Sequence, residues 1–335
     1  MSSASIFRRR IFLCIGLLLS ASTHLDAAEE KKTQNPSNDW ALSADFLAWF
    51  ASEETASIWA DVITIGNNTS TWRAPGFNFK WDYGFRLGAV RNFLYDAWDT
   101  ALYWTRFHTD AKHTISSQPN TRIGPEFFAA FLSGDVPQSM RAKWSLDLNM
   151  FDGELGRNYR ISKSLSMRPF LGLKGGWINQ SIDANYFNLT INNVLTNNSG
   201  KEHLKNNFWG VGPLGGVNTK WNVGDFGSRF FNFFGDFSMA TMWGNWNCGD
   251  VYKNTASKKS SVNTKNSTLG ALMFRGFAGI GWDADLRAGR SRLALKLGYE
   301  MQLWLNQLRI ATFQLQRLHS DLTLQGVTFN CRLDF

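Results

Sequence analysis

Outside the run Ile11–Leu19, the chain lacks anything close to the ~18 consecutive apolar residues that a helix needs to cross a bilayer. A helical membrane protein is thereby excluded, and an exported chain of this kind is either soluble or a strand barrel. Cysteine is scarce too: Cys14, Cys248 and Cys331 are too few for a disulfide scaffold. Histidine is nearly as rare. Cys248 and Asp250 have no histidine or further cysteine within ligand spacing, so neither a zinc site nor a cofactor is expected. Strong charge of one sign is also missing. The formal net charge of +8 falls to +6 once Arg8, Arg9, Arg10 and Asp26 leave with a cleaved leader, too small an excess to argue for nucleic acid.

What is present begins with Arg8, Arg9 and Arg10 ahead of Ile11–Leu19, followed by the small residues Ala21, Ser22, Ala27 and Ala28. A basic segment, a short apolar core and a small residue before the cut make residues 1–28 a secretory signal peptide. Cys14, preceded by Phe12 and Leu13, is in the wrong company for lipid acylation and is discarded with the leader. Residues 29–39 are then a short periplasmic segment. Fifteen Trp and 27 Phe sit in a chain whose mean hydropathy is nevertheless negative. Alternation reconciles the two, because an apolar outer face and a polar inner face average out along each strand.

Period-two alternation is plainest at the carboxyl end. Val327, Phe329, Cys331, Leu333 and Phe335 fall on one face; Thr328, Asn330, Arg332 and Asp334 fall on the other. A last strand ending on an aromatic looks like the signal that delivers outer-membrane barrels to their insertion machinery, and Phe335 is assigned that role. The same pattern runs from Phe77 to Ala89 and from Arg292 to Gln302, with Gly84, Gly88 and Gly298 on the polar face. Trp209 and Trp221 share a face, as do Phe231 and Trp243. Each pair spans roughly 28 Å at about 3.3 Å per residue and a tilt near 45°, close to the height of the band between aromatic girdles.

Short and long connections alternate along the chain. The predicted strands are 40–50, 79–90, 98–109, 141–157, 166–182, 207–221, 230–243, 268–285, 292–304 and 322–335. They make an all-β fold, a transmembrane antiparallel up-and-down barrel of ten strands over residues 40–335, with short periplasmic turns and long extracellular loops. Ser57–Ile65 has strand character of its own and is read as part of a structured first loop; a barrel of twelve strands is the alternative. Glu126–Leu132 reads as a short helix in the second loop.

The most specific wording lies mid-chain. It runs Trp144-Ser-Leu-Asp-Leu-Asn149, Asp152-Gly-Glu-Leu-Gly-Arg-Asn-Tyr159, Ile161-Ser-Lys163 and Arg168-Pro-Phe-Leu-Gly-Leu-Lys174, on to Ile178 and Gln180. Gly84 to Gly88 followed by Trp98-Asp99, and Trp209-Gly-Val-Gly-Pro213, accompany it. Over about residues 40–335 the chain resembles, on these residues, the Legionella major outer membrane protein-like family of pore-forming outer-membrane proteins. Versions described as MOMP-like abound in Chlamydia-related bacteria. The resemblance implies a Gram-negative outer-membrane location and passive diffusion of small solutes or ions.

Polar strand faces put mixed charges in the lumen. Lys80, Arg86, Lys143, Arg168, Lys174, Lys220, Arg275, Arg292 and Lys296 face Asp45, Asp82, Asp147, Asp152, Glu154, Asp236, Asp283, Asp285 and Glu300. The balance gives no field of one sign and so no strong ion selectivity. In a narrow barrel these groups can equally pair and fill the interior, so a porin and a filled structural barrel are both carried forward. Odd residues from Lys143 to Asn149 are read as lumenal, with a β-bulge beyond Phe151 turning Asp152 and Glu154 inward toward Arg168 and Lys174.

Two other classes stay open. A barrel hydrolase could use His108 and His113, which flank Asp110, as acid and base groups. No His-x-Ser arrangement accompanies them, and no enzyme is expected. An adhesin would act through the long loops. Cys248, expected in an exposed fourth loop, suits an intermolecular disulfide between barrels. The expected partners are the outer-membrane bilayer, the barrel-insertion machinery and further copies of the chain; nucleic acid is not among them.

Overall fold

A backbone that crosses lipid as strands can satisfy its amides only by pairing around a closed ring. The computed structural model describes residues 39–335 apart from 58, 68, 94–95, 126–134, 192–193, 226–228, 287–290 and 312–316. The expected signal peptide and the expected helix at Glu126–Leu132 lie outside the described residues. In chain order the first elements are β1 (Trp40–Glu53), a one-turn helix α1 (Glu54–Ser57), β2 (Ala60–Ile65), β3 (Ser70–Arg73), β4 (Trp81–Asn92), β5 (Trp98–Ser116) and β6 (Thr121–Pro125). There follow β7 (Val136–Arg157), β8 (Tyr159–Arg160), β9 (Leu165–Ile191), β10 (Val194–Leu195) and β11 (Gly200–Asp225). The last four are β12 (Arg229–Asn254), β13 (Lys259–Leu286), β14 (Ser291–Ala311) and β15 (Arg317–Asp334).

Ten strands, β1, β4, β5, β7, β9 and β11 to β15, are antiparallel neighbours around one barrel. β7 pairs with β9 and β15 pairs with β1, so no strand edge is left to lipid. At the β1–β15 seam the register runs from Ala41 opposite Asp334 to Glu53 opposite Leu322. Beyond it, the Trp40 amide donates to the Phe335 carbonyl (3.2 Å) and the Phe335 amide to the Trp40 carbonyl (2.8 Å). β2 pairs with β3 and with β6 in a small separate sheet. The Ser57–Ile65 segment thus belongs to loop structure, and the twelve-strand alternative falls.

All ten expected strands are found, but several run further than the alternation suggested. β9 continues to Ile191 and β12 to Asn254, through stretches expected to be loop. The 26 residues of β12 climb roughly 60 Å at a tilt near 45°, about twice the apolar band. Exposed aromatic residues mark where the band lies. Trp40, Trp98, Trp221, Phe231 and Phe335 stand at the periplasmic level, and Trp81, Trp177, Trp209 and Trp243 at the upper level. Between them the outer wall carries side chains such as Leu102, Leu171, Phe237, Leu297 and Phe329. The membrane-spanning part of each strand is this interval, and the ladder above it stands in water.

Leu171 lies midway between the two levels and is 75% exposed. Leu171→Arg is expected to destabilise the folded barrel by ~2–4 kcal/mol, the cost of a cation facing the bilayer midplane. Asn179→Arg, on the same outer face above Trp177, is expected to change stability by less than about 0.5 kcal/mol. Urea titration of both variants in lipid vesicles checks the contrast.

Candidate functional site

The inward face of β7 carries the key to the interior. Even residues are buried from Ala142 to Met150, and the same phase continues through Asp152 and Glu154. Pairing with β5 keeps one register from Trp98 opposite Arg157 to Ser116 opposite Ser139. The bulge expected beyond Phe151 is therefore absent, and Lys143, Ser145, Asp147 and Asn149 face outward. What changes at Phe151 is the medium outside the wall. Below it the outside is hydrocarbon and the inside polar; above it the outside is water and the inside a largely apolar layer that also buries Glu53, Gln180, Glu202, Asn206 and Asp250. Asp147 accordingly sits on the outer wall, with His108 Nδ1 at 2.9 Å and Arg106 Nη2 at 3.6 Å. Lys143 stands beside Lys112 on the same wall.

Within the membrane interval the interior holds paired charges. Glu300 on β14 is fully buried and accepts from Arg86 Nη2 (2.7 Å), Arg275 Nε (2.7 Å), Gln302 Nε2 (3.0 Å) and Thr328 Oγ1 (3.1 Å). Arg86 also donates to Asp45 Oδ2 (2.8 Å) and Thr105 Oγ1 (3.0 Å). Asn330 Nδ2 donates to the other oxygen of Asp45. This hub ties β1, β4, β5, β13, β14 and β15 together.

A second group ties the opposite arc. Arg168 on β9 donates through Nε to Asp99 (2.9 Å) and through Nη1 to Glu154 Oε2 and Asn218 Oδ1, both at 2.8 Å. Lys174 Nζ donates to Asp152 Oδ1 at 2.6 Å. Near the periplasmic end Asp283 accepts from Lys220 and from Arg292 Nη2 (2.7 Å), and Lys296 Nζ lies 3.7 Å from Asp236. Sequence reasoning joined Asp152 and Glu154 with Arg168 and Lys174, and the structure brings these four together. It missed Asp99, although the alternation of β5 around Trp98 puts that residue on the inner face.

Above the ion pairs lies a packed apolar layer that the lumenal reading did not anticipate. Trp49, Trp144, Trp246 and Trp304 are fully buried, with Phe107, Leu146, Leu148, Ile178, Phe208 and Met242 around them. The Phe208 and Trp246 rings lie 4.1 Å apart and those of Trp49 and Phe107 5.4 Å apart. Indole N–H groups find acceptors inside: Trp144 donates to Gln180 Oε1 (3.2 Å) and Trp49 to Thr328 Oγ1 (3.1 Å). Two cations face the boundary between the layers, Arg86 over the Trp49 ring and Lys174 over the Trp304 ring, each at 5.9 Å. Trp59 and Phe77 from the first loop join the same cluster.

Other predicted residues are placed as follows. Asp82 faces inward and accepts from Thr109 Oγ1 at 2.5 Å, and Lys80, half exposed, sits between Asp82 (3.7 Å) and Asp110 (3.6 Å). Asp285 is half-buried near the end of β13. His108 pairs with Asp147 instead of Asp110, and His113 Nδ1 meets the Gly76 carbonyl at 2.6 Å. Cys248 lies in β12 above the upper aromatic level and is buried, not in an exposed loop. Its Sγ donates to Asn206 Oδ1 at 3.1 Å, and burial pushes the thiol up to about 11. A thiol so placed is not presented to a neighbouring barrel.

Removing one member of a buried charge cluster strands its partners. Glu300→Ala leaves Arg86 and Arg275 without their shared carboxylate and is expected to cost about 3–5 kcal/mol. Lys80→Ala, at an exposed pair, is expected to cost at most ~1 kcal/mol. Unfolding followed by tryptophan emission separates the two.

No curated protein matches the chain. Solved structures similar to it include the outer membrane protease OmpT of Escherichia coli, at 6% identity and TM-score 0.39, covering 91% of this chain and 99% of that one. A FadL homologue of Pseudomonas aeruginosa is 10% identical at TM-score 0.32, with 88% of this chain and 90% of that one covered. The toluene transporter TodX of P. putida is 8% identical at TM-score 0.19, with 89% of each chain covered. The family model described as Legionella pneumophila major outer membrane protein precursor matches residues 33–335, and the chain belongs to this family of bacterial outer-membrane proteins.

Proposed function

We propose that the protein serves the outer membrane as a filled structural barrel and not as an open diffusion pore. The observation that carries this reading is the double filling of the interior. A porin needs a continuous water-lined passage. Among the described residues, the inner faces of ten strands are instead occupied by paired charges below and by packed aromatic and aliphatic side chains above. Barrels of about eight strands have interiors that side chains just fill, and the diameter grows only in proportion to strand number.

The reading is also non-catalytic. His108 with Asp147 and His203 with Asp183 (2.7 Å) are about half exposed on the outer wall. Asp110, the acid–base partner considered for His108, is held by Lys80 and Lys112. Phe335, half exposed beside Trp40 at the seam, supports recognition of the last strand by the insertion machinery.

Planar-bilayer recording on refolded mature protein tests the proposal. Heat-shifted gel mobility confirms the folded barrel, and the current is expected to stay at baseline across many insertions. Steady unitary steps from wild-type protein would overturn the structural reading and restore the porin.

A further inference from the structure

The lipid-facing wall is not uniformly greasy. From β1 across β4, β5, β7 and β9 to β11 it sinks into a shallow open depression of about 660 Å³. Gly153 and Gly175 lie on its floor, and Leu102, Phe151, Leu173 and Trp177 stand around them, all exposed to the membrane. Glycine is an unfavourable choice there, since it adds no packing to a strand and leaves bare peptide facing hydrocarbon. Crowding does not require it at Gly153: a Cβ built on that residue would find Leu102 Cδ2 at 3.5 Å, an ordinary contact, and nothing nearer. At Gly175 the nearest atom, Val211 Cγ2, would be 3.3 Å away. At Gly153 a larger residue fits, whereas Gly175 is tight, and an unfilled hollow forfeits dispersion contacts that an apolar chain would supply.

The upper end of the hollow is electrically distinct. Arg106, Asn149 and Trp177 form one cross-strand row, directly above the row of Trp104, Phe151 and Gly175. Arg106 Nη1 donates to Asn149 Oδ1 at 2.9 Å, and its side chain remains 44% exposed at the level where lipid head groups begin. Higher on the same wall Lys112 stands directly opposite Lys143, with Arg141 on the same face, against the carboxylates of Asp110 and Asp147. Asp110 already meets Lys112 at 3.5 Å and Asp183 stands opposite Lys143, so the cation nearest the hollow is Arg106. An apolar slot therefore opens directly below Arg106.

We propose that this slot binds an outer-leaflet phospholipid with an anionic head group, one acyl chain lying over Gly153 and Gly175 and the phosphate meeting Arg106. The site lies on the outside of the wall and is independent of whether the lumen conducts.

Native mass spectrometry on refolded mature protein, extracted from vesicles of mixed phosphatidylglycerol and phosphatidylcholine, tests it. Wild-type protein is expected to retain one phosphatidylglycerol, favoured over phosphatidylcholine by about fivefold, the ratio one basic side chain gains at an anionic surface. Gly153→Leu, which fills the floor without backbone conflict, is expected to lose that lipid while keeping heat-shifted mobility. Arg106→Gln is expected to keep a lipid but to lose the head-group preference. Equal retention by all three proteins, or no retained lipid, would overturn the proposal. So would a wild-type dimer that Gly153→Leu dissociates, since the slot would then be occupied by a second copy.

Discussion

Lipid covers the outside of this wall over only part of its height, and that constraint shapes everything else in the barrel. A strand has two faces and a fixed period, so its inward side cannot change phase without a bulge. Where lipid covers the outside, the polar face must point in. Where the strands rise above the head groups, the outside becomes wet and the apolar face is free to turn inward. β7 makes the transition without a change of register: Asp152 and Glu154 below, Leu146 and Leu148 above, all on one face.

The two interior layers do different work. Full burial of a Trp, Leu or Met contributes on the order of 1.5–3 kcal/mol, so the upper layer behaves as the core of a soluble protein and supplies stability. Buried ion pairs roughly break even against apolar replacements, yet losing one partner is costly. The hub at Glu300 is therefore better understood as fixing which strands meet, since its partners come from six of them. Arg86 over Trp49 and Lys174 over Trp304 let the charged layer end against aromatic faces instead of against bare hydrocarbon.

Much of this was legible in the chain, and the part that was not has a physical cause. Alternation located ten spanning strands, and the seam of Trp40 with Phe335 follows from the pattern of the last strand. Trp209 and Trp221 marked the membrane height because aromatic side chains settle at both interfaces. The extracellular extensions were missed because the rule of apolar outside and polar inside holds only in lipid. Applied above Phe151, it placed Asp147 and Lys143 in the lumen and called for a bulge to rescue Asp152. The inner tryptophans were missed for the same reason, and Cys248 was put in a loop because its strand continues past the membrane. Arg168 with Glu154 and Lys174 with Asp152 were within reach because both strands lie inside the membrane interval.

The proposed filled barrel rests on the packing of its interior. The inversion of polarity is its central claim, and cysteine accessibility along β7 tests it most directly. In a Cys248→Ser, Cys331→Ser background, single cysteines replacing residues 143 to 150 are exposed to a membrane-impermeant maleimide from the extracellular side. Rapid labelling at Lys143, Ser145, Asp147 and Asn149, with protection at Leu146 and Leu148, is the predicted result. Labelling of Leu146 and Leu148 with protection of Asp147 would contradict it and put water back in the lumen.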